Sequence, residues 1–382
     1  MITSAIRSIF TVNLGILRHE RVLVFTDSLS GVEAVNEQEC RRRERLRDIA
    51  LLTAEIGKAY AKKILYHDFA ATGSHGAEPP EEIWRSAFGD RAINELNKAG
   101  LLDALIKKKL TGEETGKAEA IIGKHKNSAV DAVIALSNYS TSHTQFRNLL
   151  TGLCYSRYAS MPLFDIDMFE GPMAADWKAL SKKTLAIAKV VNCAETLNVA
   201  TPNGSSLTVS KKGRKALADT GILTKPGSFG NLPAGEVFFA PLEGTANGTL
   251  VLEWAPMSRL SKPVSLLIED GMVREVSGDD PYAAVLKSKL TERPENRNIA
   301  EFGIGTNDLA KRPDNILESE KILGTIHVAL GDNSSFGGKI RAPFHQDFVF
   351  FKPTVTLVAK DNSSICLLKN GVMNTDGFVK SS

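Results

Sequence analysis

Cysteine is sparse in this chain and never closely spaced. The four, Cys40, Cys154, Cys193 and Cys366, lie far apart with no Cys-x-x-Cys pair. That excludes a zinc knuckle and a disulfide scaffold and leaves reduced structural thiols as the expectation. Long apolar runs are missing as well: no stretch reaches the ~18 apolar residues of a membrane span. The opening MITSAIRSIFTVNLGIL has no basic region followed by an unbroken apolar stretch and a cleavage site. A cytoplasmic protein without a membrane partner is expected. Charge of one sign is not in excess either, with 47 Lys plus Arg against 44 Asp plus Glu and a formal charge of +3. Such a balance points to no nucleic-acid partner. Phosphate-loop signatures are absent too. KPGSFGNLPAGE lacks the Gly-Lys-Ser/Thr ending, and GIGTN is not a full GxGxxG. Its glycines are expected to let backbone pass close to a ligand or a neighbouring strand.

What is present is an ordinary globular composition, 43% apolar and 24% charged over 382 residues, enough for two domains with cores of their own. Short apolar strands such as RVLVFTD, SAVDAVIALSN and RYASMPLF alternate with helical segments. ECRRRERLRDIALLTAEIGKAYAKKI, EEIWRSAF, RAINELNKAGLLDALIKKKL and HTQFRNLLTG all read as helices. That alternation predicts a parallel sheet with helical cover. After the helical GPMAADWKALSKKTLAIAKVVNCA the texture changes to strands joined by tight turns, with EDGMV as a hairpin. The reading is an α/β chain. An N-terminal parallel-sheet α/β domain spans residues 1–190, and a C-terminal mixed α+β domain, 191–382, bears the metal site.

The chemistry is expected in that second half. PAGEVFFAP holds Glu236 and IAEFGIGTN holds Glu301, each a lone carboxylate among small and apolar residues. A buried acid is costly unless a cation meets it. Of only seven histidines, His327 sits mid-strand in GTIHVALG and His345 begins HQD, two residues before Asp347. Residues i and i+2 of a strand share a face, so His345 and Asp347 are expected to converge. Three acids and two imidazoles suit borderline divalent metals. Three negative charges lean towards two ions with a bridging hydroxide, either glutamate spanning them. The plainer alternatives are a turn-capping Glu236, a salt-bridged Glu301 and a hydrogen-bonded core His327.

Taken in order, NLPAGEVFFAP, EFGIGTN, NILESEKILGTIHVALGDN and HQD resemble the aminopeptidase T-type metalloaminopeptidases, most strongly from Asn231 to Asp347. The resemblance implies a hydrolase, usually homodimeric, that releases N-terminal amino acids from peptides. It implies two divalent ions, zinc, cobalt or manganese, on Glu236, Glu301, His327, His345 and Asp347. By the two-metal pattern the ions polarise the peptide carbonyl and activate a water. Glu320, in LESEK, would carry the proton, with Lys321 as an oxyanion donor and His143, in TSHTQF, reaching in from the other domain.

Two departures from that family matter. Its peptidases have a tyrosine seven residues beyond the first site histidine, where this chain has Ser334, with Tyr139 a remote substitute. The interval from His327 to His345, filled by SSFGGKIRAP, is also shorter. A ring-cleaving enzyme, 2,5-dihydroxypyridine dioxygenase, looks like a relative of the same fold. It holds one Fe(II) on two histidines and an aspartate, a triad that His327 or another histidine, with His345 and Asp347, could supply. Its substrate is a small aromatic molecule in place of a peptide. A third reading is a non-catalytic peptide- or metal-binding protein.

Overall fold

The computed structural model describes residues 2–31, 33 and 35–374. The chain forms two compact units. The first runs up to Trp177 and takes in Gly221–Pro233. Among its described residues is a five-stranded parallel sheet in the order Lys63–Ala70, Arg21–Ser28, Ala132–Ala135, Arg157–Ser160, Phe229–Asn231. Val22 to Phe25 and Ala132 to Ala135 are fully buried, as strands covered on both faces must be. Glu37–Gly57 turns Leu46, Ile49, Ala50, Thr53 and Ala54 inward at helical spacing, and Asn36 caps it by accepting from the Glu39 amide. Trp84, Phe88 and Phe146 pack with Phe25 in the core. Each such side chain contributes about 1.5–3 kcal/mol through burial.

The second unit comprises Lys178–Thr220 and the chain from Ala234 onward. Its described residues form an eight-stranded antiparallel sheet and a five-stranded one. The larger runs Met272–Ser277, Ser258–Glu269, Asn247–Ala255, Ser206–Ser210, Ala194–Ala200, Thr354–Ala359, Ser364–Lys369, Val372–Met373. The smaller runs His345–Phe350, Ile326–Gly331, Ile299–Gly305, Glu236–Phe239, Leu217–Asp219. One core joins both sheets with helices Trp177–Asn192 and Pro281–Glu292. The architecture is therefore a parallel-sheet α/β region followed by a larger mixed α+β region. No helix among the described residues is long and apolar enough to cross a membrane.

Two details differ from the sequence reading. The helix expected to run through AYAKKI stops at Gly57, and Lys63–Ala70 is a strand. Its eight-residue parallel pairing with Arg21–Ser28 overrides the helix-forming lysines and alanines. Helix Trp177–Asn192, at the end of the first domain in the sequence reading, belongs from Lys178 on to the second unit, because Ile187, Ala188 and Val191 pack in that core. The hairpin at EDGMV turns on Asp270 and Gly271, both with positive φ, the conformation such two-residue turns require.

Candidate metal centre

The smaller sheet of the second unit is apolar on one face and acidic on the other. Val237, Phe239, Phe302, Ile304, Ile326, Val328, Leu330, Phe348 and Phe350 point into the core. Strand alternation then puts the residues between them on the opposite face. Register aligns Glu301 with Ala329 and Ala329 with Asp347 in one row. Phe238, Gly303, His327 and Val349 form the next row, and Asp219, Glu236 and Gly305 the one beyond. His345, paired with Gly331, completes the face. Small residues give the donors room. A Cβ on Gly303 would lie 1.9 Å from His327 Nε2, so the imidazole occupies space that only glycine leaves.

Glu236, Glu301, His327 and Asp347 are buried, while the His345 side chain keeps 24% exposure. His327 Nε2 lies 3.3 Å from Glu236 Oε2 and 3.4 Å from Glu301 Oε1. His345 Nε2 lies 3.5 Å from Glu301 Oε2 and 3.3 Å from Asp347 Oδ2. These separations are long for charge-assisted hydrogen bonds. They suit donors sharing an ion, since bonds of about 2.1 Å at right angles set neighbouring donors about 3 Å apart. Glu236 Oε2 and His327 Nδ1 are buried without a hydrogen-bond partner among the described residues. His345 Nδ1 bonds the Asp332 carbonyl oxygen at 2.8 Å, which leaves Nε2 for a metal. The donor set fits a divalent ion.

Beside it sits a lysine with no exposure at all. Lys321 Nζ donates to Glu236 Oε1 and to Glu320 Oε2, both at 2.7 Å. Burial alone would discharge this ammonium, but Glu236 and Glu320 hold its pKa well above the usual range. Burial pushes the Glu320 carboxyl up to about 8 despite Lys321, and pushes Glu301 up as well. Burial opposes charge on His327 and His345 too. The Glu301 hydrogen bond with the Glu236 charge raises His327 to about 9, and Asp347 raises His345 to about 10. Asp347 is held down at about 2, against burial, by His345. Both imidazoles are thus protonated at neutral pH in the metal-free chain, and an ion binding there displaces those protons.

The structure gathers Glu236, Glu301, His327, His345, Asp347, Glu320 and Lys321 on one face, although Lys321 and Glu236 are far apart in sequence. His143 belongs to the first unit, where it lines a hollow with Leu105, Lys108 and Asn148. Tyr139, also in the first unit, donates its hydroxyl to Glu33, and Ser334 binds the Asp332 carboxylate. Sequence reasoning passed over Phe238 and Phe336. Their rings meet edge to face at 5.7 Å, and Phe336 meets His345 the same way at 6.0 Å. A partly exposed aromatic wall therefore borders the donors; its signal in the sequence is the phenylalanine of SSFGG.

The pair of zinc, cobalt or manganese ions expected from sequence is corrected here. Two three-donor groups, Glu236–Glu301–His327 and Glu301–His345–Asp347, overlap at Glu301, and Lys321 already supplies a cation to Glu236. Of the three negative charges that argued for two ions, Lys321 offsets one. One divalent ion balances the rest, as in a mononuclear two-histidine, one-carboxylate centre.

Comparison with known proteins also corrects the resemblance to aminopeptidase T, and with it the expected hydrolase, protease and aminopeptidase activity. The structure is similar to AmpT from Thermus thermophilus, with TM-score 0.53 and 16% identity over 97% of this chain and 98% of that one, a likeness of fold alone. It is also similar in fold to 2,5-dihydroxypyridine dioxygenase from Pseudomonas putida KT2440, with TM-score 0.65 and 18% identity over 99% of this chain and 98% of that one. In sequence, 182 residues are 26% identical to the curated 2,5-dihydroxypyridine 5,6-dioxygenase of Pseudomonas putida, covering 44% of this chain. The match spans about half, 52%, of that relative's length. The family model for NicX, 2,5-dihydroxypyridine 5,6-dioxygenase, matches residues 173–368, just over half of the chain and every one of the gathered donors, and to that family the chain belongs.

Proposed function

We propose that this chain is a ring-cleaving dioxygenase that uses one ferrous ion and acts on a small hydroxylated aromatic ring of the 2,5-dihydroxypyridine kind. The observation that carries the reading is the convergence of His327, His345 and Asp347 around Glu301 in a chain of this family. His327 Nε2, His345 Nε2 and Asp347 Oδ2 would hold the iron, with Glu301, common to both three-donor groups, as a further oxygen donor beside them. Iron bound there supplies the electron transfer that lets dioxygen react with a closed-shell ring.

The chain's own groups do the rest. The Asp332 carbonyl keeps the His345 ring oriented. Phe336 and Phe238 offer an apolar flank against which a planar ring stacks. Glu320, whose carboxyl titrates near neutrality, exchanges a proton with the ring hydroxyl. His143 receives no role in this reading. The balanced outcome is opening of one ring carbon–carbon bond with both atoms of one dioxygen retained in the product.

Anaerobically purified protein should carry about one iron per chain. With 2,5-dihydroxypyridine it should consume one dioxygen per ring lost, read by an oxygen electrode and by the fading ring absorbance. Ferrous-loaded protein that consumes no oxygen across a panel of hydroxypyridines and catechols would remove the reading.

A further inference from the structure

We infer that Lys321 is a resident cation in the place where a two-ion site would hold its second metal, and that it fixes this centre at one divalent ion. The inference rests on the single-ion reading above. Around the ammonium stand Glu236 and Glu320, each 2.7 Å from Nζ. Glu236 turns its other oxygen to His327, which in turn faces Glu301. Without the lysine side chain, Glu236 and Glu320 would be left facing the vacated space with His327 beside Glu236, donors for a second ion. With it, Glu236 is already charge-paired, Glu320 accepts from the same ammonium, and that space is filled.

The lysine is not free to swing aside. Its amide donates to the Glu318 carbonyl at 2.9 Å, and its carbonyl accepts from the Asn307 amide at 2.9 Å. Asn307 is tied by its own side chain to the Ala234 carbonyl, two residues before Glu236. The backbone that presents the ammonium and the strand that presents its carboxylate are thus pinned to each other. An ammonium neutralises carboxylates as a metal would but has no open coordination position. It cannot activate a water as one of two metal ions does. Lys321 therefore sets the class of chemistry, one-ion against two-ion, without touching substrate.

The test is a metal count. The chelator-stripped full chain is titrated with Mn(II) alone, and bound ions are read by electron paramagnetic resonance. Wild type should take one ion per chain. Lys321→Ala should take two, with the multiline spectrum of an exchange-coupled pair, a signature that mere loosening of the fold cannot produce. Lys321→Gln, uncharged and close in length, is the second variant should the alanine fail to fold. Two ions in wild type, or one in both folded variants, would overturn the inference. Ring cleavage is scored separately. A wild-type chain with one ion, a two-ion variant and no oxygen uptake would uphold this inference and remove only the dioxygenase reading. Two ions in a wild type that still cleaves the ring would do the reverse.

Discussion

At the scale of single residues, the site depends as much on absent side chains as on present ones. Gly303→Ala would drive a methyl into the His327 ring, 1.9 Å from Nε2. The variant is expected to lose at least about ten-fold in metal affinity and its activity with it, checked by metal analysis of folded protein. Full metal content in Gly303→Ala would show that the ring has room to move. Protons give a second residue-level expectation. With His327 at about 9 and His345 at about 10, each ion bound near neutrality displaces about two protons. The logarithm of affinity should then climb about two units per pH unit between about pH 7 and 8. Calorimetry in two buffers of different ionisation enthalpy checks the proton count. The stability sign runs the other way. A histidine raised from 6.5 stabilises the metal-free fold fully below that value and loses the contribution as pH rises through 9 and 10. The melting temperature of stripped protein should therefore fall across that window. His345 and Asp347 were legible as neighbours because period-two spacing is local. The Lys321–Glu236 pair was not, because 85 residues separate the partners and no spacing rule spans them.

At the scale of elements, the segment from Asp332 to Phe344 is a braced arch over the donors. The Asp332 carboxylate accepts from the Ser334 amide and hydroxyl and from the Ala342 amide. Glu243 accepts from Asn333 and from the Lys339 amide, and it pairs with Arg214. The sequence showed this stretch as short but gave no sign of its bracing, because Glu243 and Arg214 come from elsewhere in the unit. Glu243→Ala should cost about 1–3 kcal/mol by leaving those donors unpaired, measured by denaturant melts. It should also raise KM more than it lowers kcat, since it disturbs the wall and leaves the ligands in place. Phe336→Leu should weaken binding of a hydroxypyridine about 2–10-fold, the worth of one aromatic contact, with iron content unchanged. Equal affinity in wild type and Phe336→Leu would take the wall out of substrate recognition. Strand Lys63–Ala70 shows the limit of local reading at this scale, because its state is decided by the ladder it joins.

At the scale of the whole molecule, alternation of strands and helices was enough to read the parallel-sheet half, and turn-rich texture enough for the mixed half. What no pattern disclosed is that Gly221–Pro233 returns to the first unit, where Phe229–Asn231 pairs with Arg157–Ser160 as the sheet's last strand. A fragment ending at residue 190 lacks that strand and leaves Tyr158 without the Phe229 ring that packs against it. Such a fragment should be less soluble than the full chain, as exposed strand edges are, with light scattering at matched concentration as the measure. A well-behaved monomeric fragment would show the strand to be dispensable. The same threading sets a timetable during synthesis. Some fifty residues must follow Trp177 out of the ribosome before the last strand arrives. At about 5–20 residues per second, the nascent sheet waits several seconds with an open edge, an interval in which a chaperone has its best chance to act.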